Sequence, residues 1–88
     1  MKLIITIISD SDYDQVSQAL IAREFRVTRI ASTGGFFRKG SSTLMIGVRD
    51  ERVDEAIEVI RDSTSPTNDP LLKRATIFVI DVENFTQI

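Results

Sequence analysis

The chain has 88 residues, 42% of them hydrophobic and 27% charged, with no cysteine, no histidine and a net charge of −2. Without cysteine there are no disulfides and no thiolate chemistry, and without histidine the usual general base and the commonest metal ligand are missing. Ser-His-Asp hydrolases are excluded, and a single binding domain spanning residues 1–88 is the expectation, small enough to bury only about 60–65% of its unfolded surface.

Charge is divided unevenly along the chain. Residues 1–49 hold seven Lys/Arg against four Asp/Glu, and residues 50–88 hold four against nine. The acidic balance argues against wholesale binding to a nucleic-acid backbone. The cluster Arg23, Arg26, Arg29, Arg38 and Lys39, opposed only by Glu24, suits a small anionic ligand instead. The apolar start Leu3–Ile8 is too short for a signal peptide or a membrane span, and a cytoplasmic protein without membrane insertion is expected.

In chain order, Lys2–Ile8 is apolar at successive positions and predicts a central strand buried on both faces. Ser9-Asp10-Ser11-Asp12 offers N-caps for a helix over 12–23, whose apolar face carries Tyr13, Val16, Leu20 and Arg23, with Ala19 beside them. Phe25–Thr33 predicts a second strand and Ser42–Arg49 a third. A second helix runs over 52–62, with Val53, Ala56, Ile57 and Ile60 on its apolar stripe. Ser63–Pro70 has loop composition, Lys73–Val82 predicts a fourth strand, and Glu83–Ile88 forms a tail.

The order β-α-β-β-α-β predicts an α+β, ferredoxin-like sandwich: an antiparallel four-stranded sheet with two helices on one face. Two helices cover only one side of a sheet that has apolar residues on both. The other side is therefore expected to be an oligomer interface.

Functional interest centres on the stretch Ala31–Thr43. Gly34, Gly35 and Gly40 let backbone approach a ligand, and backbone N–H groups with Arg38 or Lys39 suit a phosphate. Phe36 and Phe37 stand in a polar loop, where a stacked nucleobase would cover them. The bland reading is a hairpin connection whose phenylalanines pack on a neighbouring subunit.

Two near-misses fall away. Gly35-x4-Gly40 has P-loop glycine spacing, but Ser41 replaces the lysine and a strand follows rather than a helix. The third strand has no aromatic residue, which removes the RNA-recognition reading of this element order. The acids Asp50, Glu51, Asp54, Glu55 and Glu58 read as a solvated helix face, not as a metal site.

The run Thr33-Gly34-Gly35-Phe36-Phe37-Arg38-Lys39-Gly40 resembles the PII-like cyclic-di-AMP receptor family. The likeness extends back to Phe25 and onward through Leu44–Val48, Asp50–Glu55, Ala75–Val79 and Val82–Ile88. It implies a ferredoxin-like homotrimer, a signalling receptor without catalysis, with a nucleotide site between each pair of adjacent subunits. Arg26 and Thr28 would then bind around phosphate and base, with the Gly35 backbone assisting. Phe36 would stack on an adenine, and Phe37 would replace the family's usual leucine. Gly47 would leave room for the ligand, and Gln87 would reach in from the tail.

This chain also departs from the family's pattern. Ser41 stands in place of an asparagine, Thr86 and Ile88 in place of a histidine and a terminal phenylalanine, and Asp62–Leu72 is shorter than the family's loop. No metal, cofactor, DNA or RNA is implied, and the downstream protein partner is unknown. Two alternatives belong to other classes. One is a ligand-independent structural or protein-interaction module, whose Gly-Phe-Phe loop docks a protein. The other is a small enzyme, which would need carboxylates and a lysine at a spacing the sequence does not show.

Overall fold

Every second residue of the first strand disappears from solvent, and that alternation sets the layers. In the computed structural model, which describes residues 1–33, 40–66 and 74–88, β1 spans Lys2–Ser9 and buries Ile4, Thr6 and Ile8. The chain continues through a 3-10 turn at Asp10–Asp12, α1 (Tyr13–Ala22), β2 (Arg26–Ser32) and β3 (Ser41–Val48). A second 3-10 turn at Asp50–Arg52 leads into α2 (Val53–Ser63), and β4 (Ala75–Asp81) completes the order β-α-β-β-α-β.

The strands form one antiparallel sheet in the order β2-β3-β1-β4, the ferredoxin-like α+β arrangement. The core lies between this sheet and the helices. Ile4 and Ile8 of β1 and Leu44, Ile46 and Val48 of β3 meet Val16 and Leu20 of α1 and Ala56, Val59 and Ile60 of α2. β1 is central, as its composition predicts, but only one of its faces is covered. Leu3 and Ile5 are half-buried and Ile7 is exposed.

Two local expectations give way to tertiary contacts. Neither Ser9 nor Asp12 caps a helix through its side chain. The buried Asp12 carboxylate instead accepts a hydrogen bond from Ser65 Oγ at 2.6 Å. Arg23, placed by spacing on the apolar face of α1, is exposed and reaches Glu55 at 3.3 Å.

The end of α1 explains the one positive φ outside glycine among the described residues, 66° at Glu24. Phe25 N–H donates to Leu20 O at 3.0 Å and Glu24 N–H to Ile21 O at 2.9 Å, the paired bonds of a Schellman cap with Glu24 in the left-handed position. Leu20 and Phe25, the two residues such a cap brings together, are both in the core. A side chain in that conformation costs about 1–2 kcal/mol, of which glycine would return roughly half through its own unfolded-state entropy. Glu24→Gly is therefore expected to stabilise the protein by about 0.5–1 kcal/mol, read as a rise of roughly 2–8 °C in thermal midpoint.

Candidate functional site

Strand register determines which candidate residues meet. Arg26 and Thr28 alternate with Val27 along β2, and Val27 faces the helices through its pairing with Ile46. Arg26 and Thr28 therefore lie on the face without helices. Arg26 stands opposite Gly47 and Thr28 opposite Met45, at cross-strand separations of about 5 Å.

The rows continue across the sheet. Arg26, Gly47, Leu3 and Ile80 form one, and Thr28, Met45, Ile5 and Phe78 the next. This face thus has a polar margin on β2 and an apolar middle that runs on to the far edge at β4, where Phe78 is 51% and Ile80 45% exposed. Gly47 is open to the outside: a methyl group added there would meet nothing within 4 Å.

The arginines of the basic cluster have different commitments. Arg23 pairs with Glu55, and Arg29 Nη2 lies 3.2 Å from Asp10 Oδ1. Arg26 is exposed and has no ion pair among the described residues, so its charge is available to an incoming anion. Arg38 and Lys39 lie outside the described residues, as do Gly35, Phe36 and Phe37.

Ser41 shares the open face with Gly47 but stands six residues away along β3, roughly 20 Å at strand rise. Its N–H donates to Thr33 Oγ1 at 2.9 Å, and its carbonyl accepts from Thr33 N–H at 2.9 Å, closing the base of the β2–β3 connection. The expected site residues therefore fall into two groups at opposite ends of the face. Arg26, Thr28 and Gly47 are together, and Ser41 is apart beside the root of the Gly-Phe-Phe loop. Gln87 is exposed in the tail, which leaves β4 at Val82 with its N–H bonded to Met1 O at 3.1 Å, at the Arg26–Gly47 end of the sheet.

Sequence reasoning missed the network behind Ser41. Asp10 Oδ1 accepts from Ser32 Oγ at 3.1 Å, from Arg29 and, in the closest contact, from Ser42 Oγ. The Ser42 hydroxyl foremost, with the Ser32 hydroxyl and the Arg29 guanidinium, holds the Asp10 carboxyl below the usual carboxylate range despite partial burial. The one available signal was an Asp/Ser run richer than helix capping needs.

A shallow groove between α1 and α2, with Ala19, Ala22 and Val59 along it, lies on the other side of the molecule. Its acids Glu55, Glu58 and Asp62 are answered by Arg23 and Arg61. Among the described residues no cluster of acids has the makings of a metal site, and no helix is long and apolar enough to cross a membrane.

The model of a family described as cyclic-di-AMP receptor matches residues 1–73. The solved structure of a functionally unknown protein from Pediococcus pentosaceus ATCC 25745 matches with a TM-score of 0.79 at 33% sequence identity, covering 99% of this chain and 96% of that one.

Proposed function

The chain belongs to the cyclic-di-AMP receptor family, and on that footing we propose that it is a non-catalytic signalling receptor. It binds cyclic di-AMP, or a related adenine nucleotide, between the subunits of a homotrimer. The observation that carries this reading is the split of the candidate residues across one open sheet face. The Arg26–Gly47 row is roughly 20 Å from Ser41 and the loop root, and the Thr28–Met45 row roughly 13 Å, too far to close on one base or phosphate.

A neighbouring copy brings the two groups together, and the apolar middle of the face supplies the contact between copies. In this arrangement Arg26 answers phosphate charge, Thr28 offers a hydroxyl and Gly47 leaves the space a ligand fills. From the adjacent subunit, Gly35, Phe36 and Phe37 supply backbone and aromatic cover, and Ser41 supplies a hydroxyl. Gln87 adds a polar contact from the tail.

Gly47 separates this reading from a purely structural one. Because a Cβ added at Gly47 meets no atom within 4 Å among the described residues, Gly47→Leu is expected to leave the fold intact. Filling space that a ligand must occupy costs about 1–3 kcal/mol, so affinity for cyclic di-AMP is expected to fall roughly 5- to 150-fold. Calorimetric titration beside a thermal melt checks both halves. Unchanged affinity with an unchanged melting point would remove Gly47 from the site.

A further inference from the structure

Behind the open face, one residue holds both neighbours of Ser41, Gly40 through its main chain and Ser42 through its carboxylate. Asp10 N–H donates to Gly40 O at 2.9 Å, and Asp10 Oδ1 accepts from Ser42 Oγ. Gly40 and Ser42 are the residues immediately before and after Ser41. The same Oδ1 accepts from Ser32 Oγ at 3.1 Å, and Ser32 is the partner of Ser42 across the β2–β3 ladder.

Arg29 completes the grip. Its Nη2 donates to Ser42 Oγ at 2.9 Å, to Ser32 Oγ at 3.1 Å and to Asp10 Oδ1 at 3.2 Å. The guanidinium carbon stands 4.2 Å from the centroid of the Tyr13 ring, which ties the network to α1.

A backbone irregularity makes this arrangement possible. Residues three apart on a regular strand point to opposite faces, so Arg29 and Ser32 would not meet on one side. The register shift between Arg29 and Ala31 inserts Ile30 as an extra residue. Arg29 then pairs with Leu44 and Ser32 with Ser42, and Leu44 and Ser42 are both fully buried on the helix side. Ser41, of the opposite parity, is left on the open face. A charged acceptor with several donors, one of them buried, fixes geometry more firmly than isolated neutral bonds do.

We propose that Asp10 is a positioning residue for nucleotide binding: from the helix side of the sheet it holds Gly40 and Ser42, and so sets the Ser41 hydroxyl toward the ligand. This rests on the receptor reading above. Asp10 touches no ligand itself: its carboxylate acts through the Ser42 hydroxyl, and its N–H bonds the Gly40 carbonyl on the other side of Ser41. Loss of a supporting partner behind a binding group typically weakens a site by about 10- to 100-fold, as supporting shells of metal sites show.

The test compares the full chain with Asp10→Ala and Asp10→Asn by calorimetric titration with cyclic di-AMP, alongside amide hydrogen exchange without nucleotide. Asp10→Ala is expected to weaken binding roughly tenfold or more and to speed exchange at the Ser41 and Thr33 amides, while Leu44 and Ile46 stay protected. Asp10→Asn keeps an oxygen that accepts from Ser32 and Ser42, and is expected to recover most of the affinity. Should Asp10→Ala fail to fold, Ser32→Ala removes one donor from the same network at an exposed position and is expected to act in the same direction, more weakly.

Equal binding by the wild type and by the truncated variant would overturn the proposal. So would a loss of affinity with unchanged exchange at Ser41. If the wild type takes up no cyclic di-AMP, the receptor reading has failed, and unaltered Ser41 exchange in Asp10→Ala would separately overturn the hold on Ser41.

Discussion

Phe78→Asp is expected to give a folded monomer near 9.9 kDa that shows no saturable uptake of cyclic di-AMP. Phe78 lies on the edge strand β4, is 51% exposed within the chain and closes the row Thr28, Met45, Ile5, Phe78 on the open face. In an isolated chain an aspartate there stays in water and costs at most about 1 kcal/mol of strand preference. Against a second copy the same carboxylate would be buried without a partner, at a cost of several kcal/mol per contact. That is enough to dissociate an assembly of this size and to separate the two halves of each site. Light scattering and calorimetry report the two effects independently. A variant that remains near three times the chain mass would remove this face from the interface. A monomer that still binds would place the whole site within one chain.

Ile46→Ala carries the largest expected cost to the fold itself. Ile46 is fully buried and sits in β3 between Ile4 of β1 and Val27 of β2, so its side chain is wedged at the centre of the sheet. Truncating a buried isoleucine to alanine costs about 2–5 kcal/mol, through lost burial and the cavity left behind. A chain of this length has a total stability of roughly 4–13 kcal/mol, so the change removes a large share of it. Ile46→Val, one methylene smaller, is expected to cost only about 0.5–1.5 kcal/mol. Denaturant midpoints at one fixed protein concentration provide the comparison, because assembly would otherwise make stability depend on concentration. A midpoint shift no larger for alanine than for valine would contradict the packing described here.

The element order and the helix-facing core were legible because each rests on a short-range period. Leu44, Ile46 and Val48 alternate on β3, and Ala56 and Ile60 repeat on α2, so both buried faces follow from spacing alone. β1 was harder. Its apolar run has no polar alternate to mark an uncovered side, and composition cannot say whether the second cover comes from the same chain or from another.

The Ser9–Asp12 run was misread because local capping rules take no account of partners 22 to 53 residues away, where Ser32, Ser42 and Ser65 stand. Those contacts also need the extra residue at Ile30, and a register shift leaves little trace in a hydrophobic pattern.

The candidate site divides in the same way. That Arg26, Thr28 and Gly47 would matter came from resemblance to a family, but their adjacency is a product of strand register. The commitment of Arg29 to Asp10, which distinguishes it from the exposed Arg26, depends on the fold and not on charge clustering. The expectations for Gly35, Phe36 and Phe37 lie outside the described residues and rest on the sequence.

The most direct test of the account is calorimetric titration of the purified protein with cyclic di-AMP, with cyclic di-GMP, ATP and AMP as comparisons. The account predicts saturable binding of cyclic di-AMP at one ligand per subunit, tighter than any of the others. No binding of any adenine nucleotide would contradict it, and would leave a receptor-family fold working as a ligand-independent interaction module.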